Sequence, residues 1–169
     1  MSILYFAYGS NMPKRRLENR IGHVHKIGLA WLEGYKLICN KKSIDGSSKF
    51  NIQKEDNNSV KVCGVLYKIE DSQLDPLDDA EGAKNGGGYK QETVEIKYNE
   101  EYKRAITYIC TQSAKLCNPS KVLPYDWYVY HAVIGACEAG FPYGYIKDNI
   151  LIDVKEHHKK KDEELRIYL

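Results

Sequence analysis

A chain of 169 residues with 43% hydrophobic and 28% charged content has the size and composition of a soluble globular protein able to bury a real core, expected as one domain over 1–169. A formal net charge of +2 excludes the strong basic or acidic imbalance that marks nucleic-acid or membrane-surface partners. No apolar run approaches membrane-spanning length, and the N-terminal run is too short and lacks the basic start of a secretory leader.

In chain order, Ile3 to Tyr8 alternates and branches like a buried strand, and Gly9-Ser10-Asn11 breaks it. Pro13 then opens a basic helical stretch from Lys14 to about Arg20. A strand that stops in Gly-Ser-Asn before a helix exposes several backbone N–H groups at one point, which suits an anion or a polarised carbonyl oxygen. Taken alone, the same residues also read as a β-turn with an Asn cap. Strands are expected over Val24–Leu32, Tyr35–Cys39, Lys49–Gln53, Val60–Ile69, Tyr89–Tyr98 and Arg104–Cys110. Val60–Ile69 is apolar on both faces, as in a closed barrel or covered sheet. Glu70–Gly82 reads as a short helix capped by Asp71 or Ser72, with Leu74 and Leu77 inward and Gly82 as its stop. Pro124 and Gly140 bracket a longer helix from Tyr125, and a second helix or an extended arm follows Pro142. The segment 155–169 reads as a charged C-terminal tail or exposed helix.

Several side-chain groupings bear on chemistry. Asp75, Asp78, Asp79 and Glu81 crowd the short helix; Asp78 and Glu81 share a face, so like charge and burial would raise the Glu81 carboxyl toward proton-shuttle duty. Alone, the cluster reads more readily as an acidic helix surface. Gly86-Gly87-Gly88 reads as a mobile loop beside Glu81, either a lid or a plain connection, and it lacks the phosphate-loop pattern. His23 and His25 would share a strand face but have no third ligand at metal spacing, so no metal is expected. His131 reads as a packed histidine and His157-His158 as solvated. No Gly-x-Ser-x-Gly marks Ser10 as a nucleophile. Fourteen tyrosines against three phenylalanines suggest a polar cavity lined by phenols. The five cysteines (Cys39, Cys63, Cys110, Cys117, Cys137), odd in number and without C-x-x-C spacing, read as reduced thiols of a cytoplasmic protein.

Four of these segments together resemble the γ-glutamylcyclotransferase family. Tyr5-Phe6-Ala7-Tyr8-Gly9-Ser10-Asn11 is similar to its N-terminal signature, and Leu77-Asp78-x-x-Glu81-Gly82 to the segment bearing its catalytic glutamate. A glycine-rich loop leads to Tyr89, one residue longer than in vertebrate-type members. Pro124-x-x-x-Tyr128 and Gly135-Ala136-x-Glu138-x-Gly140-x-Pro142 resemble the C-terminal helix and its turn. The resemblance covers about residues 3 to 145. It implies an α+β fold, a small mixed β-barrel with peripheral helices, where periodicity alone supports only α+β. It implies a lyase that cyclises a γ-glutamyl amide to 5-oxoproline and frees an amino acid or amine, as in glutathione metabolism. Glu81 would be the general acid/base; Tyr8, Gly9, Ser10 and Asn11 would hold the γ-glutamyl group, with Tyr89 and Tyr128 flanking it. No cofactor, metal, nucleic acid or membrane is implied, and a homodimer stays open. Two other readings remain: a cyclotransferase for γ-glutamylamines or a γ-glutamyl-protected metabolite, and a non-catalytic barrel that binds a small metabolite.

Overall fold

Alternating apolar residues, with β-branched and aromatic side chains, build the barrel wall. The computed structural model describes residues 1–169. Five strands close into a barrel in the order β1-β5-β2-β6-β7: β1 (Ser2–Ala7), β2 (His25–Glu33), β5 (Lys61–Glu70), β6 (Lys90–Tyr98) and β7 (Glu101–Ile109). The strand apolar on both faces, β5, sits between β1 and β2, antiparallel to both, and Val62 through Tyr67 are buried along it. The barrel is closed by a parallel contact of β1 with β7 at Tyr5 and Ile106.

Strands β3 (Tyr35–Lys42) and β4 (Ser48–Lys54) do not join the barrel; they form their own two-stranded hairpin. Strand β7 starts at Glu101, three residues before the expected Arg104, because the connection is only Asn99-Glu100, with φ of 48° and 65°. Two consecutive left-handed residues match the right-handed twist of a hairpin, and asparagine tolerates that region better than glutamate does. Without a glycine there, the turn is hard to see in the sequence.

The helices pack around this frame. Helix α1 (Lys14–Ile21) follows β1 directly, and α2 (Leu74–Glu81) follows one 3₁₀ turn over Asp71–Gln73. That turn is capped by Glu70 and Gln73 rather than by Asp71 or Ser72, through reciprocal side-chain and backbone bonds. Leu77 is fully buried, and Gly82 ends the helix in the left-handed region, as expected. Helix α3 (Asp126–Glu138) buries Tyr128, Ala132 and Ala136 at four-residue spacing. After Pro142 comes the short α4 (Tyr143–Tyr145), which runs into a π-helical turn over Ile146–Ile150. Residues His158–Leu165 form α5, which is anchored rather than free: Glu164 lies 2.6 Å from Arg16 of α1, and Lys161 lies 3.0 Å from Asp126 of α3. No helix is long and apolar enough to cross a membrane. All five cysteines are unpaired.

His131, fully buried, joins α1, α3 and the C-terminal segment. Its Nε2 is 2.9 Å from Arg16 Nη1, and its Nδ1 is 2.7 Å from the Tyr168 hydroxyl. Burial pushes the imidazole down to about 4; the Arg16 charge adds to this, while Glu164 opposes it. The folded imidazole is therefore harder to protonate than the unfolded one at 6.5, and stability falls as pH drops from about 6.5 through 4. Glu164, held low mainly by its bond to His131 together with Arg16, loses its contribution at still lower pH. Replacing His131 with Gln should lower stability at pH 7.5 yet flatten the melting midpoint between pH 6.5 and 4, a profile readable by thermal unfolding across buffers.

A second constraint sits where α3 meets the segment after β1. A Cβ on Gly135 would lie 2.4 Å from Met12 Cβ and 2.6 Å from the Pro13 nitrogen. Backbone meets backbone there, so only glycine fits. Gly135→Ala should cost about 1–3 kcal/mol, the usual penalty of overpacking, seen in chemical denaturation. It should also displace the Gly9–Met12 turn.

Candidate active site

Turn, helix end and hairpin converge on one cavity. Strand β1 delivers Tyr5 and Tyr8, then turns through Gly9, Ser10 and Asn11 as the Met12 amide donates to the Gly9 carbonyl at 3.1 Å. The amides of Gly9, Ser10 and Asn11 make no backbone hydrogen bond, so the turn keeps spare donors. Its far side is fixed by the Tyr67 hydroxyl, which donates to the Met12 carbonyl at 2.6 Å, and by Gly135 of α3. A small cavity of about 30 Å³ lies over the turn.

Glu81, the last residue of α2, projects into this space. Its side chain is 16% exposed, desolvated by its surroundings yet open to a ligand. The Asn11 amide nitrogen donates to Glu81 Oε1 at 2.5 Å and to the Tyr5 hydroxyl at 3.1 Å. The Asn11 oxygen accepts from Arg20 Nη1 at 2.9 Å, and that same nitrogen faces Glu81 Oε1 at 3.6 Å. Burial raises the Glu81 carboxyl above its ordinary range, and Arg20, the Asn11 bond, Arg16 and Lys41 pull it partly back. Burial, rather than the neighbouring Asp78, is the main cause. The Tyr108 hydroxyl donates to Asp78 Oδ1 at 2.6 Å, which makes Asp78 a tie between α2 and β7.

The other wall comes from β4 and the two tyrosines flagged in the sequence. The Phe50 amide donates to the Tyr128 hydroxyl at 2.9 Å, and the Tyr89 hydroxyl donates to the Phe50 carbonyl. One residue's backbone thus orients both rings. Tyr128 keeps its own O–H proton for another acceptor, whereas the Tyr89 proton is already used.

All seven residues singled out in the sequence line this cavity, and it holds three more: Tyr5, Phe50 and Tyr108. The tyrosine excess hinted at two of these, but nothing local assigned them. Arg20, which faces both Asn11 and Glu81, shows in the sequence only as part of a basic helix. The cavity has no histidine, so Ser10 has no imidazole beside it. His23 lies just before β2, exposed and 3.0 Å from Glu18, and lines one open surface cleft with His25. No group of three or more His, Cys, Asp or Glu residues comes together as a metal site would require.

The glycine-rich segment after Glu81 folds back on itself. The Gly87 amide donates to the Gly82 carbonyl at 3.0 Å, and a Cβ on Gly87 would lie 2.8 Å from that oxygen. Glycine at position 87 serves close approach of the two backbones.

The family model described as "Gamma-glutamyl cyclotransferase, AIG2-like" matches residues 5–129. Gamma-glutamylcyclotransferases of Bos taurus and Homo sapiens are each 28% identical to this chain over 167 residues, covering 97% of it and 86% of their own length. A solved structure titled "Gamma-glutamyl cyclotransferase" superposes with a TM-score of 0.80 at 24% identity, covering 97% of this chain and 98% of its own. With the barrel, the turn after β1 and Glu81 in the matched region, the chain belongs to the γ-glutamyl cyclotransferase, AIG2-like family of enzymes.

Proposed function

We propose that this enzyme cyclises a γ-glutamyl amide to 5-oxoproline and releases a free amine, with Glu81 as the proton carrier. The observation that carries this reading is the pairing of a desolvated, accessible carboxylate with the unbonded amides of Gly9, Ser10 and Asn11 in one cavity that has no nucleophile–base pair.

A γ-glutamyl amide carries its own nucleophile. The α-nitrogen attacks the γ-carbonyl carbon, closing a five-membered ring, and the bond from that carbon to the leaving nitrogen then breaks. Holding the two ends of one molecule in reactive geometry replaces a collision with an intramolecular step, and such orientation is worth up to about 7–11 kcal/mol of barrier. The cavity walls of Phe50, Tyr89 and Tyr128 support that folded conformation. The amides of the turn are suited to the substrate carboxylate or to the oxyanion that develops on the γ-oxygen.

Proton balance explains the tuning of Glu81. Over one turnover, two protons leave the α-ammonium and two arrive on the leaving nitrogen, which departs as an ammonium. A carboxylate that accepts and returns them one at a time ends as it began. Its raised affinity for protons narrows the gap to the more basic α-amine of the substrate, which favours transfer in both directions.

Replacing Glu81 with Gln keeps an oxygen for the Asn11 bond but removes the base. Release of 5-oxoproline from γ-glutamyl donors should fall at least about a hundredfold, within the usual range for a lost acid/base. Because the folded carboxyl binds protons more tightly than the unfolded one, its ionised form opposes folding at neutral pH. The variant should therefore melt at or above the wild-type temperature at pH 7, with the difference vanishing near pH 4. Wild-type turnover by Glu81→Gln would overturn the mechanism.

Arg20 supplies the opposite sign. Its charge lowers the Glu81 carboxyl, so Arg20→Met should move the acid limb of the kcat/KM–pH profile to higher pH. A limb that stays fixed or moves down would separate Glu81 from the observed titration.

A further inference from the structure

Beside the inner cavity lies a second, more open chamber of about 310 Å³ that shares Ser10, Glu81, Tyr89 and Tyr128 with it. The chamber is cationic: Arg16, Arg20, Lys41, Lys49 and Lys160 face Asp45, Glu81 and Glu164 across it. Four of the five cations are partnered. Arg16 and Lys160 bind Glu164 at 2.6 and 3.3 Å, Lys49 binds Asp45 at 3.3 Å, and Arg20 donates to Asn11 at 2.9 Å.

Lys41 is the exception. It is only 9% exposed, and its ammonium makes no ion pair or hydrogen bond with the protein; it rests 4.9 Å from the centre of the Tyr89 ring. Its position is also costly in the hairpin. Lys41 faces Lys49 directly across β3 and β4, and like charges in register destabilise a strand pair. The register shifts between Ile38 and Lys41, and such irregularities re-aim side chains out of the regular ladder. A charge on a largely buried side chain without a counter-ion is costly, and here an anionic ligand would neutralise it.

We propose that Lys41 is a specificity-determining residue whose ammonium receives the carboxylate of the leaving amino acid. The inference rests on the cyclotransferase reading. In a γ-glutamyl amino acid, the leaving carboxylate is two bonds from the scissile nitrogen. With that nitrogen at Glu81, the carboxylate enters the chamber that opens beside Glu81, where Lys41 is the cation without a partner. A γ-glutamylamine places nothing charged there and leaves Lys41 unpaired.

The test compares γ-glutamylalanine with γ-glutamylethylamide, the same donor without the carboxylate, by 5-oxoproline release. Wild type should favour the alanine donor. In Lys41→Met and Lys41→Gln the ratio of kcat/KM for the two donors should fall about tenfold or more, the scale of one charge-assisted hydrogen bond, chiefly through KM. Lys41→Arg should restore part of the ratio. Reading the ratio in two neutral variants keeps the result decisive if one folds poorly. A ratio unchanged in both variants, or a wild type that prefers the ethylamide, overturns the role of Lys41 and leaves the cyclotransferase reading standing. Absence of 5-oxoproline from both donors with wild type overturns the parent reading and this inference together.

Discussion

The Asn11 side chain is the constraint on which the site depends. Its nitrogen spans Tyr5 on β1 and Glu81 at the end of α2, and its oxygen takes Arg20 from α1. A neutral amide can do this where a charge could not. It gives Glu81 a donor without a full counter-ion, so burial still wins and the carboxyl remains raised. A lysine in its place would pull the carboxyl down, and an alanine would leave it with Arg20 alone. Because three elements meet at one amide, the geometry of the base depends on where the turn after β1 sits. That turn is held from behind by Tyr67 and Gly135. Packing in the core therefore sets the position of a group that would handle protons in the cavity.

Much of this was legible in the sequence because the relevant signals are local. The break at Gly9-Ser10-Asn11, the stop at Gly82 and the two-faced apolar run now in β5 each follow from short-range rules. What escaped depends on contacts between distant segments. The fate of β3 and β4 outside the barrel cannot be seen in their alternation, which suits a barrel strand equally well. Asp78 and Glu81 share a helix face on paper, but Tyr108, thirty residues away, claims Asp78 and leaves burial as the cause of the Glu81 shift. The glycine run after Glu81 shows its turn character by composition, but the close approach of Gly87 to the Gly82 carbonyl appears only in the fold.

The tyrosine excess acquires a physical reason from the way these hydroxyls are used. Tyr8 donates to the Tyr108 carbonyl, Tyr89 to the Phe50 carbonyl and Tyr67 to the Met12 carbonyl. Each bond gives a main-chain carbonyl a side-chain donor and fixes a segment of the site against its neighbour. Phenylalanine would fill the same volume but leave those carbonyls to find other donors. The rings also serve the outer chamber, where Tyr89 lies against Lys41 and Tyr128 against Lys49. Cations resting on aromatic faces need less water than free ones, which lets a charged chamber adjoin a desolvated carboxylate.

The same tyrosines also decide which group can titrate. Burial pushes the hydroxyls of Tyr5, Tyr8, Tyr89, Tyr108 and Tyr128 upward, each away from neutrality. The remaining inner lining is Gly9, Ser10, Asn11 and Phe50, none of which changes charge in that range, and Glu81. Displacing five phenols upward and one carboxyl upward acts in opposite directions relative to pH 7: the phenols are locked protonated while the carboxyl is brought closer to exchange. The inner cavity is left with one proton carrier in a shell that holds its charge state fixed. Under the cyclotransferase reading, a proton taken from the α-nitrogen then has one place to wait before the leaving amine collects it.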